Sequence, residues 1–171
     1  MTWTIESVRE AGVEPAAVFA LYADPATWSR WGHNARWARS EGPLVEGGYV
    51  DVKASYRTIY HCLIRRLEPG RALELVVRPA LMTIINTYEV APTPGGTRVR
   101  HAFDVSGPLA STTRLLGLDR IYQRQLDAEV TAVIRMAAKS DRLRPGRAAH
   151  LAGLNAGADV ARLGAPIPPG S

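Results

Sequence analysis

The chain has 171 residues and a formal net charge of +5, with 46% apolar and 22% charged residues, which suits a folded core and argues against wholesale disorder. No apolar run approaches the roughly 20 residues that a membrane helix needs, and the first residues lack the basic-then-apolar layout of a signal peptide. A lone cysteine, Cys62, excludes an internal disulfide and a multi-cysteine zinc site, so a cytoplasmic domain is the default expectation.

All but Lys53 and Lys139 of the 21 basic residues are arginine. A nucleic-acid binder gathers such charge on one stripe. Here Arg9, Arg30, Arg57, Arg78 and Arg98 fall in different segments, often beside acids, so solvated faces are expected and no nucleic-acid partner. The exception is the cluster Arg142, Arg144 and Arg147.

Residues 3–10 alternate as a first strand, closed by Gly12. Pro15 opens a helix through Ala23, where its missing N–H is harmless, with Val18, Phe19 and Tyr22 as its apolar stripe. Asp24-Pro25 breaks it and caps a second short helix, Ala26 to Trp31, closed by Gly32. Strand segments then follow at Trp37 to Ser40, Tyr49 to Tyr56, Thr58 to Leu67, Ala72 to Arg78, Met82 to Val90 and Thr97 to Val105. The turn signals between them include Gly42-Pro43, Gly47-Gly48, Pro69-Gly70 and Gly95-Gly96, and hairpin after hairpin points to an antiparallel meander. Leu73, Leu75 and Val77 form the core-facing set of their strand; Val99, His101, Phe103 and Val105 share one face of the last.

From Leu109 to about Lys139 there is no proline and a single glycine, Gly117. Leu115, Leu118, Tyr122, Leu126, Val130, Val133 and Ala137 step by three or four, which predicts one long helix of about 45 Å with one apolar stripe. Residues 1–142 thus read as one domain. Residues 143–171, rich in Ala, Gly and Pro, read as a flexible or partly helical tail with a weak helix over 148–163.

The order of a strand, two short helices, six further strands and a long C-terminal helix resembles the START-like superfamily, also called helix-grip or SRPBCC. The residues that carry the likeness are Pro15 to Trp31, which is similar to that group's P-x-x-V-F-x-x-x-x-D-P-x-x-x-x-x-W opening. Leu67-Glu68-Pro69-Gly70-Arg71-Ala72-Leu73 and Gly95-Gly96-Thr97-Arg98-Val99 are similar to its hairpin signatures. The resemblance covers residues 3 to about 142, and the branch it most resembles is the polyketide cyclase/dehydrase and lipid-transport group. It implies an α+β fold: a curved antiparallel sheet of about seven strands around a long C-terminal helix.

A strongly curved sheet cannot close tightly on one helix, so a gap remains that suits an apolar ligand held by a few polar groups. The expected wall is Leu75, Asn86, Tyr88, His101, Phe103, Leu118, Tyr122 and Leu126. His101 and Tyr88 are the candidates for catalysis. An inward His101 orients a ligand hydroxyl or acts as a base; the alternative is a hydrogen-bonded core histidine. The phase of His61 against Tyr60, Cys62 and Ile64 is open. Trp28, Trp31 and Trp37 read as core around the short helices, and His33 as a solvated turn or a gate at the cavity mouth.

Nucleotide-loop, metalloprotease and nucleophile-elbow motifs are lacking, and four scattered histidines offer no metal-ligand spacing, so neither metal nor cofactor is expected. Cys62 reads as structural, and Arg114, Arg120 and Arg124 as a solvated face beside Asp119 and Asp127. The first functional expectation is binding of a lipid or polyketide-like molecule. The second is a polyketide cyclase, aromatase or dehydratase working by general acid–base catalysis, and the third is a protein–protein module of the co-chaperone type. A homodimer through an edge strand or the long helix is a further expectation.

Overall fold

Two periodicities divide the chain: an alternation of two builds a sheet up to Ser106, and helical spacing takes over after Gly107. The computed structural model describes residues 2–54 and 57–142. The segment 143–171, with Arg144, Arg147 and the expected helix over 148–163, lies outside the described residues, as do Ser55 and Tyr56 at the expected end of the third strand.

The strands are β1 (Thr2–Ala11), β2 (Ala35–Arg39), β3 (Tyr49–Ala54), β4 (Ile59–Glu68), β5 (Ala72–Val77), β6 (Thr83–Thr93) and β7 (Gly96–Ser106). They form one seven-stranded antiparallel sheet in the order β1-β7-β6-β5-β4-β3-β2. The meander is interrupted once, where the chain leaves β1 and later returns with β7 beside it, Thr2 opposite Ser106 and Ala11 opposite Thr97. Register shifts at Ala35/Trp37 and Ile64/Arg66 add local bends to β2 and β4. β6 and β7 run longer than expected, because Pro92 and Thr93 still pair with Thr97 and Gly96.

Between β1 and β2 lie α1 (Pro15–Ala23), a 3-10 turn over Pro25–Thr27 and α2 (Trp28–Trp31). The side chain of Asp24 accepts the Ala26 N–H at 3.0 Å, as its sequence position requires of a cap. Gly32 ends α2. A Cβ on it would sit 2.8 Å from the Trp28 carbonyl oxygen, so the close turn favours glycine.

The C-terminal segment is two helices rather than one: α3 (Ala110–Leu115) and α4 (Leu118–Arg142). Gly117 adopts φ +74°, a left-handed conformation that costs glycine least, and its N–H returns to the Arg114 carbonyl. Leu115 is 88% exposed, so it does not belong to the inward stripe. The buried stripe of α4 is Leu126, Val130, Val133 and Ala137, gripped by the concave sheet.

The main core joins Val18, Phe19 and Tyr22 of α1 to Val50, Ile64, Leu73, Leu75, Val90 and Val99 of the sheet and to α4. A smaller cluster of Trp3, Val105 and Ala110 sits under α3, where the Trp3 indole donates to the Ala110 carbonyl at 2.8 Å. Trp37 lies outside both. It is half-buried, with the Arg39 guanidinium 4.9 Å from its ring centroid, because the shift in β2 at this residue breaks the simple inward phase.

Candidate functional site

Between the concave face of the sheet and α4 lies a cavity of about 180 Å³. β4, β5, β6 and β7 alternate in phase toward it, supplying Tyr60 and Cys62, Leu75 and Val77, Ile84, Asn86 and Tyr88, and Phe103. α2 and the turn after it add Trp28, Trp31, Gly32 and Asn34, and α4 closes the space with Tyr122, Gln125, Leu126 and Glu129. The last two pairs follow helical spacing, so Tyr122, Leu126 and Glu129 recur along one face.

Of the residues singled out from the sequence, Leu75, Asn86, Tyr88, Phe103, Tyr122 and Leu126 line this space. Leu118 does not. It stands at the first turn of α4, beyond the break at Gly117, where the helical register carried the expected stripe too far. His101 does not line it either. It is 1% exposed and lies behind the wall, with ring centroids 4.8 Å from Tyr88 and 5.9 Å from Trp31.

His101 is nevertheless the middle of a polar chain. Its Nε2 is 2.8 Å from the Tyr22 hydroxyl, and its Nδ1 is 3.8 Å from Oε2 of Glu129, beyond hydrogen-bond range. Nδ1 is the one buried side-chain nitrogen or oxygen left without a hydrogen bond among the described residues. A carboxylate in front of Nδ1 favours the tautomer with its proton there, leaving Nε2 to accept from Tyr22. α1 and β7 are thereby joined by a buried hydrogen bond, with Glu129 of α4 facing its far end at 3.8 Å.

Glu129 also holds the mouth. Its Oε1 accepts the His33 backbone N–H at 2.8 Å, and one turn earlier Gln125 Oε1 accepts from the Asn34 side-chain amide at 2.8 Å. Two residues at i and i+4 on α4 so clasp the turn after α2. His33 contributes its backbone there, and its side chain is exposed. Burial pushes the Tyr22 hydroxyl well above the usual 10.0, helped by the nearby charges of Tyr88 and Glu129. It does the same to Tyr88, with Glu129 and then Cys62 adding to it. Burial, and then Asp51, push the Cys62 thiol up to about 12, so it is an inert wall group.

His61 takes the other face of β4: its Nδ1 is 2.6 Å from Asp51 Oδ1, and its side chain is 72% exposed. The phase left open by the sequence is settled by Cys62 and Ile64, both buried. Arg114 pairs at 3.9 Å with Asp119. Sequence reasoning missed Glu129, Gln125 and Asn34. Each looks like a solvent-facing polar residue of a helix or turn; α4 brings Gln125 and Glu129 to the cavity from the opposite end of the chain, where Asn34 of the turn after α2 meets Gln125.

A model of the polyketide cyclase / dehydrase and lipid transport family matches residues 2–134. The chain belongs to that family. A search of the curated proteins finds no match. Among solved structures, protein MLL2253 from Mesorhizobium loti is similar at TM-score 0.62 and 17% identity, covering 80% of this chain and 98% of its own. Norcoclaurine synthase from Thalictrum flavum aligns at TM-score 0.63 and 12% identity over 82% of this chain and 97% of its own. The di-domain aromatase/cyclase StfQ of the steffimycin biosynthetic pathway aligns at TM-score 0.62 and 13% identity, covering 80% of this chain and 49% of its own. At such identities these likenesses establish the fold, a helix grip. No described helix is long and apolar enough to cross a membrane.

Proposed function

We propose that the chain binds a compact, ring-containing apolar molecule between the sheet and α4. The observation that carries this reading is the cavity itself. Its walls are Trp28, Trp31, Tyr88, Phe103, Tyr122 and aliphatic side chains, with a few polar groups from Asn34, Asn86, Gln125 and Glu129. An apolar cavity of roughly 150 Å³ accepts a benzene ring. The volume of about 180 Å³ therefore suits a body of one or two rings and is short for a fully buried long acyl chain. Membership of a family described by polyketide cyclisation, dehydration and lipid transport supports a small-molecule role. An open cavity also weighs against a pure protein–protein module.

A second reading, acid–base chemistry on a polyketide-like chain, is favoured by the Glu129 carboxylate sharing the cavity with Asn86 and Gln125. Such chemistry needs a base for an α-proton and a donor for the enolate oxygen. His101 has no direct access to a ligand, so in this reading it orients Glu129 through its position behind the wall.

Native mass spectrometry of protein purified from its own cells tests the binding reading. A bound compact aromatic or polyketide-like molecule that is lost from a Phe103→Trp variant with a filled cavity is the expected result. Consistently empty protein, together with no titratable quenching of Trp28 and Trp31 by small aromatic probes, would overturn it.

A further inference from the structure

The cavity carries an electrostatic imbalance that narrows the class of ligand. Among the described residues lining it, Glu129 is the one charged side chain; no lysine, arginine or histidine joins it there. Its side chain is 15% exposed, and no Lys or Arg of the described residues pairs with it. One oxygen, Oε1, is engaged by the His33 N–H at 2.8 Å. The other, Oε2, has its nearest ion-pair partner at 3.8 Å, in the His101 Nδ1. Oε2 thus keeps acceptor capacity that no described donor uses.

The rest of the wall has the same sign of preference. Trp28, Trp31, Tyr60, Tyr88, Phe103 and Tyr122 surround the space, and aromatic faces carry negative potential that attracts ammonium groups. Asn86 and Gln125 supply neutral amides. Burying a carboxylate costs free energy unless a counter-charge arrives. An anionic ligand entering beside Glu129 would raise that cost. A ligand bearing an ammonium group would remove it and would also donate the hydrogen bond that Oε2 lacks.

We propose that this cavity is selective for a protonated primary or secondary amine on a compact ring-containing body, with Glu129 as its anchor and the aromatic wall around it. This inference rests on the binding reading above and deepens it. It places fatty acids and other carboxylates among the poorest ligands. Of the described arginines, Arg114 is taken up by Asp119, and Arg100 by Glu6 and Glu89 behind the sheet.

The test uses three near-isosteric probes at neutral pH: phenethylamine, phenethyl alcohol and hydrocinnamate. Binding is read by calorimetry and by quenching of Trp28 and Trp31. The amine is expected to bind about tenfold tighter than the alcohol, which corresponds to about 1.4 kcal/mol, and the carboxylate weakest of all. Glu129→Gln keeps an acceptor for the His33 amide while removing the charge. It is expected to abolish the advantage of the amine over the alcohol. Hydrocinnamate binding as well as phenethylamine, or a Glu129→Gln protein that still prefers the amine, overturns the proposal. The wild-type ranking decides alone where the variant does not fold. If the alcohol binds and the amine gains nothing, this inference fails and the cavity reading stands. If none of the three binds, both fail.

Discussion

The two faces of the sheet solve the same problem of charge in opposite ways. On the convex face, Arg65 and Arg66 of β4, Glu74 of β5, Glu89 of β6, Arg100 of β7 and Glu6 of β1 form an alternating ladder with contacts of 2.8 to 3.7 Å. The bulge at Ile64/Arg66 puts both arginines on this side, and every carboxylate has a guanidinium beside it. In the cavity on the concave side, Glu129 of α4 is the one carboxylate among the described lining residues, and it faces aromatic rings. Compensated charge at a surface contributes little and serves solubility and register. Uncompensated charge in a cavity is costly to the fold, and function is what it most plainly serves.

That contrast is sharpest in β5, where neighbouring residues face opposite ways. Leu73, 1% exposed, supports the core, and Leu73→Ala is expected to cost about 2–5 kcal/mol in urea unfolding. Glu74→Ala removes the centre of the outer ladder, yet the side chains of Arg65 and Arg66, 51% and 39% exposed, regain water, so the expected cost is about 1 kcal/mol or less. Equal losses from the two variants would mean that the ladder holds the sheet together.

The polar chain behind the cavity comes next in size. Tyr22→Phe deprives the buried His101 Nε2 of its partner while Nδ1 already lacks one, which is expected to cost about 1–3 kcal/mol. A change below about 0.5 kcal/mol would mean that the Tyr22–His101 contact adds nothing. Alkaline pH tests the same pair of tyrosines without mutation. Tyr22 and Tyr88 ionise well above 10.0 when folded, whereas in the unfolded chain they ionise near that value. Their contribution to stability is complete below pH 10 and is lost as pH rises toward the folded values. Absorbance titration should therefore show Tyr22 and Tyr88 ionising late, together with unfolding. The smallest effect is at Cys62: with its thiol at about 12, reaction with a thiol reagent at neutral pH should be slow and limited by opening of the fold.

Much of this contrast was legible in the sequence, and the part that was not has a physical cause. Asp24-Pro25, the hairpin turns and the alternation of Leu75, Asn86, Tyr88 and Phe103 are local signals, and they set the helix-grip fold and most of the cavity wall. Gly117 is visible but reads as a tolerated helix glycine until its φ of +74° is known, so Leu115 and Leu118 read as one continuous stripe of a single helix. Phase located His101 on the inner face correctly, yet phase says nothing about which ring lies in front of it. Glu129 carries no sequence signature, and Tyr22 reads only as part of the apolar stripe of α1, with no sign of its polar partner. Their roles arise from contacts between α1, β7 and α4, a hundred residues apart in places, and tertiary packing alone creates them.

The central claim, that the concave cavity is the functional site, is tested most directly by mapping where a ring-containing probe binds. Titration of phenethyl alcohol or phenethylamine into isotope-labelled protein, followed by NMR, should perturb Trp31, Asn86, Tyr88, Phe103 and Tyr122 and give contacts from the probe to their rings. A separate, more polar depression beside the β2–β3 turn is lined by Arg39, Glu41, Asp51 and His61. Perturbations centred on those residues, with the cavity signals unmoved, would contradict the account.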